Sequence, residues 1–318
     1  MSHTISIAMT TYNGERFLRE QLDSIYSQTL LPNEIIVCDD NSTDRTINIL
    51  EEYKEKYGLK YYVNNPKLGV NENFYKAISL CASDYIALSD QDDIWLPNKI
   101  EVTYKKLLEI DNGKPSVVSS MCHDIDTYGN FIKRTPKKED TFGYAATLLT
   151  SGHNQGCSLM MNKEMAKLVL KLKDKDSRAK TIMFDAFISF LAAILGNKYN
   201  LGTPLMLYRH HDSNVVAKIS TKRKSIRERA RAQNLYVGFI PDVRFRCLKI
   251  ITDILGKEIS NQDICKLLAK LETINNSSFI HGLLIIYKLP ELSKKRKKTI
   301  LIKSLISKII KIILICKH

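Results

Sequence analysis

Short apolar runs alternate with amphipathic stretches over the first 90 residues of the chain. Four of these runs predict strands, at 3–9, 34–38, 59–63 and 84–88. Between them, apolar residues recur at helical spacing and predict a helix ending near Ser27 and helices over 44–57 and 71–82. Strands that alternate with helices through short loops predict a mostly parallel sheet flanked by helices. The expected fold class is α/β.

The second half of the chain is less regular and then changes composition. Apolar runs predict strands at 116–122, 157–162 and 205–208, and helical spacing predicts helices over 163–173 and 184–195. After Ala217 the sequence becomes basic and helical in character. This change predicts an α/β domain over 1–217 and a basic helical region over 218–318.

Polar clusters follow three of the predicted strands, at 10–15, 39–42 and 90–93. The carboxyl ends of parallel strands meet at one edge of a sheet, and ligands of open α/β sheets bind there. We therefore expect one site assembled from these three loops.

Charge and cysteine content narrow the setting of such a site. The formal net charge is +14, and residues 218–318 carry 23 Lys and Arg against 7 Asp and Glu, so the α/β body is close to neutral. The seven cysteines are scattered without CxxC or zinc-ligand spacing, which favours a reducing compartment. The first residues lack a basic segment followed by an apolar core, so no secretion signal is predicted and a cytoplasmic location is expected.

The third polar cluster, Asp90-Gln91-Asp92-Asp93, places three acids at the mouth of an apolar strand. One interpretation is a solvated loop whose acids cap the helix that Pro97 helps to start. The other is a site for a hard divalent cation, because Mg²⁺ or Mn²⁺ takes oxygen ligands and binds through carboxylates together with substrate phosphates. A bound cation would relieve the repulsion among the three acids.

Several segments in order resemble the family-two inverting glycosyltransferases of GT-A fold, and most closely their bacterial rhamnosyltransferase-like branch. These segments are TTYNGERFLREQLDSIYSQT, EIIVCDDNSTDRTINIL, NPKLGVNENF, YIALSDQDDIW, NQGCSLMMNKEM, IMFDAF and LMLYRHHDSNVV. They span about residues 3–217. The resemblance implies a GT-A-type Rossmann-like sheet, a nucleotide-sugar donor (dTDP- or UDP-linked), a glycan acceptor and a divalent cation, Mg²⁺ or Mn²⁺.

The resemblance also implies roles for residues in the first three loops. Residues matching positions that bind the nucleotide are Thr10, Tyr12, Glu15, Asp39, Asn73 and Asp90. Asp92 matches the metal ligand, and Asp93 matches a position that contacts ribose or metal. Ordinary structural roles remain open: a helix N-terminal acid for Glu15, a capping loop for Asp39, and a buried capping amide for Asn73.

An inverting transferase also needs a base for the acceptor hydroxyl, and Asp185 matches the family's position for it. Relatives often carry a His-Asp pair followed by tryptophans there, whereas this chain has Phe184-Asp185-Ala186-Phe187, so the acceptor subsite departs from the pattern. The structural alternative for Asp185 is an ordinary acid in the first turn of a helix.

Five further positions complete the expected site. His211 matches a histidine that lies near metal and diphosphate, and Arg209 would neutralise phosphate. Trp95 would stack on a sugar or anchor its loop to the core. Gln155 and Gly156 are expected to line the donor or acceptor pocket, where glycine allows close backbone approach.

The C-terminal segment 299–316 forms an apolar helical wheel with Lys303, Lys308 and Lys311 on one side. Internal lysines are costly in a spanning helix, so a helix lying at the surface of an anionic membrane fits better, with 294–298 adding positive charge. The alternative is a helix packed on the protein body or in a homodimer interface. A peripheral location on the inner face of the plasma membrane would suit a lipid-linked acceptor.

The leading hypothesis is a metal-dependent inverting glycosyltransferase of bacterial cell-envelope glycan synthesis, with L-rhamnose from dTDP-rhamnose as the expected sugar. Another hexosyl- or galactofuranosyltransferase using a UDP-sugar is the nearest alternative. A basic nucleic-acid-binding protein is a rival of another class, but the tail lacks a recognition helix, zinc module or aromatic RNA motif, so no nucleic-acid partner is expected. A nucleotidyltransferase would carry a glycine-rich basic loop after the first strand, and TTYNGE is not one.

Overall fold

The computed structural model describes residues 3–132, 155–212, 236–237 and 240–255. The chain divides into two compact units. The first comprises Met1–Thr141, His153–Asp174 and Met183–Asn214, and the second comprises Phe142–Gly152, Lys175–Ile182 and Val215–His318. The predicted division into 1–217 and 218–318 stays a prediction.

The first four strands form the parallel half of the main sheet, as the alternating pattern predicts. They are β1 (Ile5–Thr11), β2 (Glu34–Asp39), β3 (Lys60–Val63) and β4 (Tyr85–Ser89). Their order is β3-β2-β1-β4, and each neighbouring pair is parallel. The connecting helices are α1 (Leu18–Tyr26), α2 (Thr46–Tyr57) and α3 (Val70–Leu80). The carboxyl ends of these strands share one edge of the sheet, called the carboxyl edge below.

The second half of the sheet is mixed. Its strands are β5 (Ile94–Trp95), β6 (Ser116–Ile125), β7 (Phe131–Ile132), β8 (Leu159–Asn162) and β9 (Asn197–Arg209). The order continues β4-β8-β6-β9-β5, with β7 paired to β6. β8 is antiparallel to both β4 and β6, whereas β6 and β9 are parallel. Six strands of this nine-stranded sheet therefore run in the predicted common direction, and β6 and β9 also end at the carboxyl edge.

Three more helices cover the second half of the sheet. They are α4 (Lys99–Ile110), α5 (Lys163–Lys175) and α6 (Phe184–Leu195). The core includes inward-facing residues of β1 such as Ile7 and Met9, which are completely buried with Leu22 and Ile25 of α1. Burying side chains of this size stabilises the fold by about 1.5–3 kcal/mol each. The packed sheet gives the loops at the carboxyl edge a rigid base.

The second unit is described only in part. Its elements are a short hairpin, β10 (Tyr236–Val237) with β11 (Ile240–Pro241), and the helix α7 (Asp242–Leu255). Within this unit, Arg178 forms ion pairs with Asp176 and with Asp253 of α7. The predicted membrane-associating helix at 299–316 lies outside the described residues. In the described part of the chain, none of the helices has the length and apolar character that crossing a membrane requires.

Candidate active site

Asp39 lies completely buried at the end of β2, where three donors orient its carboxylate. Thr11 Oγ1 donates to Oδ2 at 2.7 Å, Ser42 N donates to Oδ1 at 2.8 Å, and Ser42 Oγ donates to Oδ2 at 2.6 Å. These hydrogen bonds hold the loop after β2, but they do not cap α2, which begins at Thr46 without a side-chain cap at its N-terminus. The arrangement fixes the carboxylate beside Thr10, which is partly exposed at the end of β1. Their role in nucleotide binding stays a prediction.

The first loop is joined to the acidic turn, residues 90–93, through Gln91. Gln91 Oε1 accepts from Tyr12 N at 2.8 Å, and Gln91 Nε2 donates to Tyr12 O at 3.1 Å. A Cβ added at Gly14 would lie 2.3 Å from Gln91 Oε1, so a side chain there would displace the amide. The sequence offered no signal for Gln91 beyond its place between acids.

Tyr12 and Glu15 occupy exposed positions of the first loop. The Tyr12 side chain is 43% exposed, and Lys67 Nζ lies 3.0 Å from the centroid of its ring. Glu15 Oε2 accepts from Arg45 N at 2.9 Å, just before α2 begins. The first loop is thereby tied to the loop after β2, and the Tyr12 ring is accessible from solvent.

Asn73 lies inside the protein body and is only 2% exposed. Its Nδ2 donates to Cys38 O at 2.8 Å, and its Oδ1 accepts from Asn64 Nδ2 at 2.8 Å. Asp40 also accepts from Asn64 Nδ2 and holds the backbone amide of Gly69 at 2.9 Å. The amide of Asn73 is thus used by the protein itself, which supports the structural alternative for this residue.

The three acids of the acidic turn have different environments. Part of the Asp90 residue remains exposed. Desolvation of its carboxyl group by the surrounding protein, followed by the charge of Asp92 and a smaller contribution from Asp185, raises the pKa of Asp90 to about 7. Asp93 is completely buried, and burial followed by the charges of Asp92 and Asp90 raises its pKa well above the usual value. Its Oδ1 accepts from Arg209 N at 3.2 Å, whereas Oδ2 has no hydrogen-bond partner among the described residues. The turn therefore holds more negative charge than its own protein contacts balance.

The end of β9 supplies a histidine and an arginine to the acidic turn. His211 Nε2 lies 2.8 Å from Asp92 Oδ2, and both side chains are almost buried. Arg209 Nε donates to Asp92 O at 3.0 Å, and its guanidinium pairs with Glu20 of α1. The guanidinium also lies 4.6 Å from the centroid of the Phe17 ring. Arg209 is only 2% exposed, so in this structure it supports the turn instead of facing solvent.

A buried lysine, Lys99, and a buried cysteine, Cys157, lie close to the acidic turn, and the sequence indicated no role for the lysine. Burial lowers the pKa of Lys99 to about 8, while Cys157 and Asp93 oppose that shift. Its Nζ lies 3.9 Å from the centroid of the Trp95 ring. Trp95 is 2% exposed, which supports the core-anchoring alternative for this residue. Lys99 lies at the start of a helix, shortly after Pro97. Its position in the sequence therefore predicted an ordinary solvent-exposed lysine.

Asp185 lies in the first turn of α6, close to the start of β8. A Cβ added at Gly156 would lie 3.4 Å from Asp185 Cβ and 2.3 Å from Phe184 Cζ. The Phe184 ring stacks on Phe74 at a centroid distance of 4.0 Å and cannot easily move. Glycine at 156 therefore allows α6 to bring Asp185 to the carboxyl edge, where its charge contributes to the raised pKa of Asp90.

Gln155 also lies at this edge, directly before Gly156. Its Oε1 accepts from the Cys122 thiol at 2.9 Å, and its carbonyl oxygen accepts from Ser158 N at 3.0 Å. The structure thus brings Gln155, Gly156 and Asp185 together opposite Asp90. Their predicted contact with donor or acceptor stays a prediction.

The donor atoms at the carboxyl edge fit a divalent cation. Asp92 and His211 offer a carboxylate and an imidazole in direct contact. Beside them, one ligand atom each from Asp90, Asp93 and Cys157 lie within 4.8 Å of one another. Oxygen and imidazole ligands suit Mg²⁺ or Mn²⁺, whereas a thiolate favours softer metals. The orphaned Oδ2 of Asp93 and the raised pKa values indicate the same need for positive charge.

Comparison with known proteins shows the family of this chain. The family model described as "Glycosyl transferase family 2" matches residues 6–170. A dTDP-rhamnosyl transferase of Shigella flexneri, RfbG, is 31% identical over 226 residues, which cover 68% of this chain and 76% of the relative.

Solved structures show the same fold. TarS of S. aureus (residues 1–349), in complex with UDP, has a TM-score of 0.51 at 16% identity and covers 96% of this chain and 88% of TarS. Its complex with UDP-GlcNAc gives 0.51 at 15% identity, with 96% and 89% coverage. The fold is therefore that of GT-A glycosyltransferases, as the sequence predicts. With a family match over more than half of its length and a relative of this similarity, the chain belongs to glycosyl transferase family 2.

Proposed function

We propose that this glycosyltransferase is a metal-dependent inverting enzyme of bacterial cell-surface polysaccharide synthesis. It transfers a sugar from a nucleoside-diphosphate donor to a glycan acceptor. The observation that carries the proposal is the convergence of two elements at one edge: the acidic turn with Asp90 and Asp92, and the first turn of α6 with Asp185. Burial, then the charge of Asp92 and to a smaller extent that of Asp185, raise the pKa of Asp90 there. Such a concentration of carboxylates is unfavourable for the protein alone and suits a cation and a reacting hydroxyl.

The donor is proposed to be dTDP-L-rhamnose, in line with the printed activity of the Shigella relative. UDP in the structural neighbour TarS supports the alternative of a UDP-hexose or UDP-galactofuranose donor. Thr10, Tyr12, Glu15 and Asp39 are the candidates for holding base and ribose. The exposed ring of Tyr12 offers a stacking surface, and the oriented carboxylate of Asp39 offers a hydrogen-bond acceptor.

Asp92 and His211 are the residues proposed to hold Mg²⁺ or Mn²⁺, and the cation would offset charge on the leaving diphosphate. Arg209 supports this pair indirectly, because its Nε donates to the carbonyl oxygen of Asp92 and holds the backbone there. Its proposed contact with phosphate requires the guanidinium to leave Glu20 in part.

Asp185 is proposed to take the proton of the acceptor hydroxyl as that oxygen attacks the anomeric carbon. Ala186 N donates to Asp185 Oδ1 at 2.6 Å, which orients the carboxylate at the start of α6. A bound acceptor alcohol would lie between this carboxylate and the donor sugar, opposite the leaving group.

Asp185→Asn tests the assignment. We expect loss of sugar transfer by at least 10³-fold, on the order of the contribution of a positioned base, while the affinity for UDP or dTDP with Mn²⁺ changes little. Transfer is measured with each sugar nucleotide, and nucleotide affinity is measured by calorimetry. Asp174→Asn is the matched control, since Asp174 is 68% exposed. Sugar transfer by Asp185→Asn at the wild-type rate would contradict the assignment of Asp185 as the base.

We further propose that the protein acts at the inner face of the plasma membrane on a lipid-linked acceptor. The basic segment 294–298 and the lysine-striped segment 299–316 support this location through their composition. The alternative is that the segment 299–316 forms a homodimer interface. Thermal stabilisation by sugar nucleotides, measured with and without Mn²⁺, identifies the donor independently of location.

A further inference from the structure

An exposed aromatic turn lies at the carboxyl edge, next to the proposed metal pair. It connects β6 to β7 and comprises residues 126–130. Because β6 and β9 are parallel, the turn follows β6 at the same edge at which β9 presents His211. Arg209 Nη1 donates to Thr127 O at 3.4 Å, and Thr127 Oγ1 donates to His210 O at 3.2 Å. The turn is therefore attached directly to the strand end that carries the proposed metal ligand.

Hydrogen bonds hold the backbone of the turn, although its aromatic residue faces water. The Asp126 carboxylate accepts from Tyr128 N at 2.9 Å, from Asn130 N at 2.9 Å and from Asn130 Nδ2 at 3.0 Å. Gly129 adopts a φ of 87°, which suits glycine and closes the turn. Tyr128 is nevertheless 85% exposed. An exposed ring on a hydrogen-bonded turn contributes binding area at a lower entropic cost than a loop that must first be ordered.

A half-exposed polar pair lies beside this turn. His210 Nε2 lies 2.9 Å from Asp124 Oδ1, and the histidine side chain is 48% exposed. The edge of the His210 ring meets Tyr208 at a centroid distance of 5.2 Å, which fixes the plane of the imidazole. The other ring nitrogen, Nδ1, has no hydrogen-bond partner among the residues that the structure describes. It can bind a hydroxyl group of a ligand.

We propose that Tyr128, His210 and Asp124 form the subsite for the acceptor sugar, a proposal that rests on the proposed function. The apolar C–H face of a sugar ring stacks on the Tyr128 ring, and its hydroxyls bind the His210–Asp124 pair. The charges at this place support a neutral ligand, since Asp124 and Asp126 would repel a phosphate. The polar pair beside the ring also favours a carbohydrate over an alkyl chain, because a carbohydrate offers both an apolar face and hydroxyl groups.

The residues after Asp185 do not offer an aromatic surface at the carboxyl edge. Ala186 and Phe187 are both buried in α6. The aromatic surface for the acceptor is then supplied from the turn after β6. Tyr128 acts here as a binding residue that determines acceptor affinity.

Tyr128→Ala tests the subsite with octyl glycosides of glucose, galactose, rhamnose and N-acetylglucosamine as acceptors. We expect the acceptor KM to rise about tenfold, the size of one aromatic stacking contact, while the donor KM and the rate of donor hydrolysis by water are retained. Tyr128→Trp keeps an aromatic face and restores the acceptor KM. Tyr62→Ala is the matched control, because Tyr62 is an exposed tyrosine of β3 at the far end of the sheet.

The outcomes separate the two proposals. An unchanged acceptor KM in Tyr128→Ala, with an active wild type, overturns the subsite and leaves the proposed function standing. A wild type that neither transfers nor hydrolyses any sugar nucleotide overturns the proposed function and the subsite with it. An acceptor KM that rises equally in Tyr62→Ala also overturns the subsite. Equal thermal midpoints of the variants show that the fold is intact.

Discussion

At the scale of single residues, Asp90 shows why the acidic turn is costly in the protein without ligand. Its pKa of about 7 is caused by burial first and by Asp92 next. The unfolded chain binds the proton with an ordinary carboxyl pKa near 4. Between these two values the folded state holds more protons than the unfolded state, so the free energy of unfolding decreases as the pH rises from about 4 to 7.

Asp90→Asn should therefore stabilise the protein at high pH in EDTA. We expect the free energy of unfolding to rise by about 2 kcal/mol at pH 8 and to change little at pH 4. Urea unfolding across this pH range measures the difference. The Asp174→Asn control should show the same dependence of unfolding free energy on pH as the wild type. If Asp90→Asn also showed the wild-type dependence, the environment assigned to Asp90 would be contradicted.

The order of residue types along the chain predicted which candidate residues lie at the carboxyl edge. It did not predict which of their polar atoms form hydrogen bonds within the protein. The positions of Asp39, Asp92 and His211 after strands were sufficient to place them at one edge. The burial of Asn73 and Arg209 depends on partners such as Glu20 that are distant in the sequence. No local pattern reports such a partner, because it is determined only when the chain has folded.

At the scale of elements, the ion pair of Arg209 and Glu20 joins the last strand of the main sheet to its first helix. The Arg209 side chain is 3% exposed, whereas that of Glu20 is 53% exposed. The burial is therefore unequal, and the guanidinium depends on its acceptors more than the carboxylate depends on its donor. Loss of Glu20 should cost more than loss of an ordinary surface acid.

Glu20→Gln should lower the free energy of unfolding by about 2 kcal/mol, below the range for a fully buried pair because Glu20 is half exposed. Glu20→Gln with Arg209→Met should recover part of this loss, since the buried charge is removed as well. Glu52→Gln is the matched control, because Glu52 pairs with Arg19 of the same helix at the surface and should change stability little. A double-mutant cycle by urea unfolding gives the coupling, and additive effects would contradict it.

The sequence predicted the four parallel strands because each has a clear apolar run between amphipathic helices. It missed β5, which has only two residues and is defined by pairing with β9. It placed a strand at 205–208, whereas β9 spans Asn197–Arg209, because the first half of β9 is polar and partly exposed. The antiparallel direction of β8 follows from the path of the chain, and strand composition does not record it.

At the scale of the whole molecule, positive charge is concentrated in residues 218–318, while the acids of the site lie in the first unit. Such an asymmetry directs a protein to anionic surfaces by long-range attraction. The proposed membrane contact makes this attraction measurable.

Replacing the five basic residues at 294–298 with glutamine should weaken binding to vesicles that contain phosphatidylglycerol. At roughly 1 kcal/mol per cation near the surface, we expect the partition coefficient to fall more than a hundredfold. Vesicle sedimentation at low salt measures it. A control with the same change in charge replaces exposed lysines of the first unit, namely Lys54, Lys56, Lys60, Lys105 and Lys167. Equal losses in both variants would contradict a specific role for 294–298.

The anchoring of the acidic turn by Arg209 also constrains how the protein is made. The hydrogen bond from Arg209 to Glu20 spans 189 positions, so the turn and the first helix leave the ribosome long before their partner. A fragment that stops at residue 170, where the family match ends, contains the acidic turn but lacks Asp185, Arg209 and His211. Contacts of such long range slow folding. Nascent chains should therefore bind nucleotide only after β9 has been synthesised.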